Sequence, residues 1–180
     1  MPTDAGPTDA GPTDAGPTDA GPGAEGVSDA EVLARYPTTT IDRDNKEFYK
    51  GWLRRQLLLN RCAACGHWHH PPAPLCPRCW SREVVPTEVC GRGTVHLLIR
   101  LHQGPPAPGV DYAQGPYPVV TVELAEQEGL RFTSTVVNCP PEEIRIGLPV
   151  ALTWIERAGA PFPVFEAARN TATATAARKG

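Results

Sequence analysis

Two periodicities divide the middle of this chain. Between Asp44 and Leu59, apolar residues recur at spacings of three, four and seven: Phe48, Trp52 and Leu59 in one row, Tyr49, Leu53 and Leu57 beside it. That pattern predicts an amphipathic helix, with Asp44 and Glu47 at capping-box spacing at its start. Gly51 lies inside it and weakens it by about 1 kcal/mol relative to Ala. A shorter helix is expected around Ala30–Arg35, stopped by Pro37. From about Val84 the period changes to two. Between Gly93 and Leu101, Val95, Leu97, Ile99 and Leu101 fall on one face and His96, Leu98 and Arg100 on the other. Val119–Leu124, Leu130–Val137 and Val150–Ile155 follow as β-branched runs. Residues 103–118, rich in Pro and Gly, read as a long loop, and Pro140-Pro141-Glu142-Glu143-Ile144 as one helical turn. Four or five short strands with one interposed turn over some 80 residues suit a small closed barrel, the OB-fold foremost.

Composition changes the picture at the termini. Residues 2–21 are Pro-Thr-Asp-Ala-Gly written four times, with no large apolar side chain to bury. Residues 1–26 are therefore expected to be a disordered acidic repeat, and 169–180 a disordered tail. Between them lie a linker and helix (27–60), a cysteine-rich module (61–82) and the barrel (83–168). Formal charge is −3 overall and −5 in residues 1–26, leaving +2 for the remainder. So weakly charged a body argues against a duplex-DNA binder that relies on many phosphate contacts. No aliphatic run is longer than that of Leu57-Leu58-Leu59, so no membrane span is expected. No signal peptide is visible, and a reducing cytoplasm is the expected setting for the six cysteines.

Cys62-Ala-Ala-Cys65-Gly66 and Cys76-Pro77-Arg78-Cys79 are two knuckles separated by ten residues. Such spacing brings four thiolates to the corners of a tetrahedron, the arrangement zinc prefers. Four thiolates leave no open position for water, so the expected Zn²⁺ is structural. His67, His69 and His70 are expected to be exposed on the hairpin, and Cys90 and Cys139 to be small buried hydrophobes. Gly-x-Ser-x-Gly, Walker and dinucleotide motifs are missing, and Gly91-Arg92-Gly93 reads as a turn. No catalytic residue can be named, so catalysis by the chain itself is not expected.

The order of motifs resembles the zinc-ribbon/OB-fold family long catalogued as a domain of unknown function. It is carried by Phe48, Leu59-x-Arg61-Cys62-x-x-Cys65-Gly66, Cys76-Pro77-x-Cys79-x-Ser81, Gly91-x-Gly93-Thr94-Val95, Pro118-Val119-Val120, Ile144-Arg145-Ile146-Gly147-x-Pro149-Val150 and Pro163-Val164-Phe165. The resemblance implies a mainly β protein: an N-terminal helix, a rubredoxin-like zinc ribbon and an OB barrel. It also implies a small partner subunit of thiolase-superfamily enzymes, including lipid-transfer-type thiolase homologues that cleave steroid side chains. The helix and ribbon would dock on the enzyme, the barrel would contact the acyl-CoA, and the partner would supply the catalytic groups. On this chain, docking falls to Phe48, Tyr49 and Trp52, and acyl-CoA contact to Arg100 and His102. Ala73 stands after Pro71-Pro72 where relatives often carry Arg, and His96 and Leu98 stand where outward aromatics are common.

The competing reading is a single-strand nucleic-acid binder, since ribbons and OB barrels serve there too. The expected outward positions (His96, Leu98, Arg100, Thr121, Glu123, Thr133, Thr135) offer no aromatic platform and one permanent cation.

Overall fold

A computed structural model describes residues 26–103 and 110–168. The acidic repeat up to residue 25, part of the 103–118 loop and the 169–180 tail lie outside the described residues. Helix α1 (Asp29–Arg35) begins where the Ser28 hydroxyl accepts a bond from the Glu31 N–H at 3.1 Å, a cap worth about 1 kcal/mol. Helix α2 (Lys46–Leu53) is joined to it by Lys50, whose buried ammonium lies 2.7 Å from Asp29 and 3.0 Å from Glu47.

Helix α2 departs from its sequence pattern at both ends. No Asp44–Glu47 capping box forms: the Asp42 carboxylate instead accepts from the N–H groups of Asp44 and Asn45, and Asn45 Oδ1 accepts from Asp42 N–H. The helix ends at Leu53, because the chain reverses through Arg55 at φ 58° and Gln56 N–H returns to the Gly51 carbonyl at 2.8 Å. Leu57 and Leu59 therefore belong to an extended segment, both fully buried. Gly51 permits this reversal: a Cβ there would meet the Gln56 carbonyl oxygen and Leu58 Cγ, each at 2.7 Å.

Strands β1 (Leu58–Cys62), β2 (Trp68–His69) and β3 (Val84–Glu88) form a three-stranded antiparallel sheet in the order β2-β1-β3. The barrel comprises β4 (Arg92–Leu101), β5 (Tyr117–Leu124), β6 (Arg131–Ser134), β7 (Val136–Val137), β8 (Pro149–Arg157) and β9 (Ala160–Ala167), ordered β6-β5-β4-β8-β9-β7. Strands β6 and β7 end that order yet are separated in the chain by Thr135 alone, so the sheet curls until its edges meet. Ser134 Oγ donates to the Pro163 carbonyl at 2.6 Å across the join, and β7 pairs in parallel with β9. This is a mainly β chain of two short helices, a zinc ribbon and an OB barrel.

Three differences from the sequence pattern follow from this closure. The Leu130–Val137 run is two strands, because the chain changes edge at Thr135. Strand β9 was not expected at all; Pro161 and Pro163 fit it because β7 joins its other side only from Phe165 onward. The 140–144 segment forms a hydrogen-bonded turn, Glu143 N–H to the Pro140 carbonyl at 2.9 Å, and no helix. One core runs through the molecule: Phe48, Trp52, Leu57 and Leu59 pack in the same cluster as Val95, Val122, Phe132 and Phe165.

Candidate metal centre and the surfaces around it

The two knuckles have the same backbone plan. The Gly66 N–H bonds the Cys62 carbonyl at 2.8 Å with Gly66 at φ 72°, and the Trp80 N–H bonds the Cys76 carbonyl at 2.9 Å with Trp80 at φ 62°. The four sulfurs lie within 4.8 Å of one another, with Cys62–Cys79 and Cys65–Cys76 separations of 3.6 Å. A tetrahedron with Zn–S bonds of about 2.3 Å has edges of about 3.8 Å, so the cage matches the ion in size and donor chemistry. Cys62 and Cys76 are buried while Cys65 and Cys79 face outward. Burial opposes the Cys76 thiolate, but backbone N–H groups of Cys79 and Arg78 and the neighbouring thiols hold it down to about 7. The site takes one structural zinc, as the spacing predicts.

The histidines beside it are not where the sequence reading put them. His69 is buried, and the His70 ring lies between Phe48 and Phe132 with centroids at 5.3 and 5.4 Å. Burial, followed by the charge of His69, lowers His70 to about 4, so its ring is neutral at pH 7. Both residues belong to the seam between ribbon, helix and barrel. Cys90 is exposed and Cys139 half-buried, so neither is the buried hydrophobe expected.

Phe48 and Trp52 are 7% and 8% exposed, turned onto Tyr36, Phe132 and Phe162. Tyr49 is half-buried beside them. Together with Asp42, Asp44, His70 and Pro71 they line a cleft of about 370 Å³. The aromatic cluster read as a docking surface therefore presents the rim of this cleft to solvent, and most of its area serves the chain's own core.

Strand β4 carries the largest change of face. A bulge between Val95 and Leu97 shifts the register, so alternation inverts after Val95. Leu98 packs toward the core opposite Val120, while Leu97 and Ile99 stand outward, each nearly half exposed. Thr135, expected outward, is buried and donates to the Pro118 carbonyl at 2.7 Å. Two-residue alternation cannot foresee a bulge, since the extra residue leaves no compositional mark. Arg100 does not stand free: one guanidinium nitrogen donates to the carbonyls of Pro141 at 2.6 Å and Ile144 at 3.4 Å, tying β4 to the 140–147 turn. His102 is exposed just beyond the strand. Among the described residues no nucleophile is paired with a base.

Ribbon and barrel together define a zinc-ribbon/OB-fold protein. Residues 50–85 match the model described as "ChsH2, rubredoxin-like zinc ribbon domain" and residues 86–154 that of the "ChsH2, C-terminal OB-fold domain". A chain of the solved "Ltp2-ChsH2(DUF35) aldolase" is 39% identical, with a TM-score of 0.64, over 73% of this chain and 99% of that one. The chain belongs to this DUF35/ChsH2 family. It is 40% identical over 120 residues to the "probable enoyl-CoA hydratase alpha subunit" of Thermomonospora curvata, covering 67% of this chain and 36% of that one. It is 32% identical over 117 residues to the "3-oxo-4,17-pregnadiene-20-carboxyl-CoA hydratase alpha subunit" of Mycobacterium tuberculosis, covering 63% and 34%. The chain thus spans about a third of the length of these two relatives.

Proposed function

We propose that this protein is a non-catalytic accessory subunit of a thiolase-like enzyme and helps hold an acyl-CoA substrate, in lipid or steroid side-chain breakdown. The observation that carries this reading is the likeness to a chain of the solved Ltp2-ChsH2 aldolase, which it matches over 99% of that chain's length. A further fact supports it: the zinc cage is closed by four thiolates, the ligand set of a structural site. Both hydratase relatives act on CoA thioesters by name, but this chain matches only about a third of each.

Within that reading the partner meets the α2 side of the molecule through Tyr49 and the rims of Phe48 and Trp52. The acyl-CoA passes the end of β4, where His102 is exposed. Arg100 keeps further N–H donors for a phosphate beyond those given to the two carbonyls. No helix among the described residues is long and apolar enough to cross a membrane.

The test is affinity capture of the tagged full-length chain from its native cell at physiological salt. Stoichiometric recovery of a thiolase-like polypeptide is expected, with a CoA thioester bound more weakly when His102→Ala and Arg100→Ala are combined in the complex. Recovery of nucleic acid and no such enzyme sinks the reading.

A further inference from the structure

We propose that Trp80, displayed on the second zinc knuckle and flanked by Arg78 and Arg82, is the anchor through which the ribbon docks on its enzyme partner. It would enter an apolar socket rimmed by carboxylates. This inference rests on the accessory-subunit reading and names a contact within it.

The two knuckles supply an internal control. In each, the residue after the second cysteine sits in the left-handed region and returns its N–H to the carbonyl of the first cysteine. At Gly66 that conformation is free of steric conflict, and a Cβ there would meet nothing within 4 Å. At Trp80 the same conformation is imposed on a bulky side chain, which the left-handed region disfavours. Nothing in the backbone plan requires Trp there; glycine would satisfy it with less strain.

The fold gains little in return. Trp80 is 74% exposed, the most exposed large hydrophobic side chain among the described residues. It makes no ring–ring or cation–π contact among them. Pro77, Arg78, Cys79 and Arg82 around it are exposed as well. Among the described residues neither guanidinium has an ion-pair or side-chain hydrogen-bond partner. Residues held in the left-handed region without being glycine cluster at functional sites. Trp and Arg are also the residues that most often carry the binding energy of an interface. The zinc cage underneath adds preorganisation, since the knuckle that presents the ring has little freedom left to lose on docking.

Charge decides the kind of partner. Two unpaired guanidinium groups beside one indole fit a carboxylate-rimmed socket on a protein. Single-stranded nucleic acid calls for successive aromatic platforms along a basic groove, whereas here one ring is followed by Arg82 and then by the acidic Glu83.

The decisive variant is Trp80→Gly in the full-length, zinc-loaded chain, titrated against the thiolase-like subunit recovered in the capture experiment. Zinc content should stay at one per chain and the denaturation midpoint should hold or rise, while affinity for the subunit falls by at least about 30-fold. Reversing both charges, Arg78→Glu with Arg82→Glu, should weaken binding and reverse its salt dependence, so that added salt strengthens the residual binding. If the wild-type chain binds the subunit and Trp80→Gly binds it equally well, this inference alone is overturned. If Trp80→Gly loses zinc or unfolds, Trp80 is structural and the inference is equally overturned. If the wild-type chain binds no thiolase-like subunit, the accessory-subunit reading fails first and takes the inference with it. Quenching of Trp80 fluorescence by a single-stranded oligonucleotide at physiological salt would also overturn it.

Discussion

His70 makes the stability of this protein depend on pH. In the unfolded chain it binds a proton near 6.5; in the fold, burial delays that to about 4. Below pH 6.5 the unfolded state therefore holds more protons, and stability is lost as pH falls from 7 toward 4. The expected loss is about 2 kcal/mol by pH 5, from 1.4 kcal/mol per unit of displacement. Asp42 and Asp44 line the same cleft, and His69 adjoins it, so the measurement is a difference between urea midpoints of wild type and His70→Phe at pH 7 and pH 5. An equal fall in both proteins rejects His70 as the source. Gly51 gives a second residue-scale prediction. Gly51→Ala improves helix propensity by about 1 kcal/mol, yet its Cβ would press on the Gln56 carbonyl and Leu58. A net destabilisation of about 1–3 kcal/mol is expected from overpacking. Denaturant titration with no loss, or a gain, would show that the Arg55 reversal relaxes freely.

At the scale of elements, α2 commits most of its aromatic surface to the chain's own core. Trp52 contacts Tyr36, Phe48, Tyr49 and Phe162 through its ring. Trp52→Ala should therefore cost about 3–5 kcal/mol of stability by leaving a cavity, seen as a lowered urea midpoint even with no partner present. A midpoint within 1 kcal/mol of wild type, on the scale of a surface change, would mean the helix is not packed as described. Helical periodicity placed the aromatic stripe correctly but ran it on to Leu59, since Leu57 and Leu59 continue the spacing by coincidence. What ends the helix is the Arg55 reversal, and only packing of Leu58 against Gly51 makes that reversal visible.

The whole molecule shares one core between ribbon and barrel, with Leu57 and Leu59 packed among barrel residues. Loss of zinc should then be felt beyond the ribbon. Cys76→Ser, or a chelator at neutral pH, is expected to abolish metal binding, collapse β1–β3 and lower the barrel's melting temperature in the same step. Metal analysis with thermal denaturation by far-UV circular dichroism checks this. A barrel that melts unchanged after metal removal would make the two modules independent.

The division between what could be read from residues and what could not follows the range of the interactions. The zinc knuckles were legible because their ligands are three residues apart and the turn chemistry is local. So were the two helices, most strands and the family, whose motifs are short strings that follow one another along this chain. The bulge after Val95, the reversal at Arg55, the burial of His69 and His70 and strand β9 were not. The bulge and the two histidines depend on partners far along the chain, Thr121 opposite Leu97 and Phe132 beside His70. The Arg55 reversal returns to Gly51 and β9 folds back on β8 across two residues, and there helical spacing and Pro161 and Pro163 hid the local signal. Local pattern determined which elements exist and which metal they hold. Long-range packing decided which faces of those elements reach solvent, and with them which side chains are left for a partner.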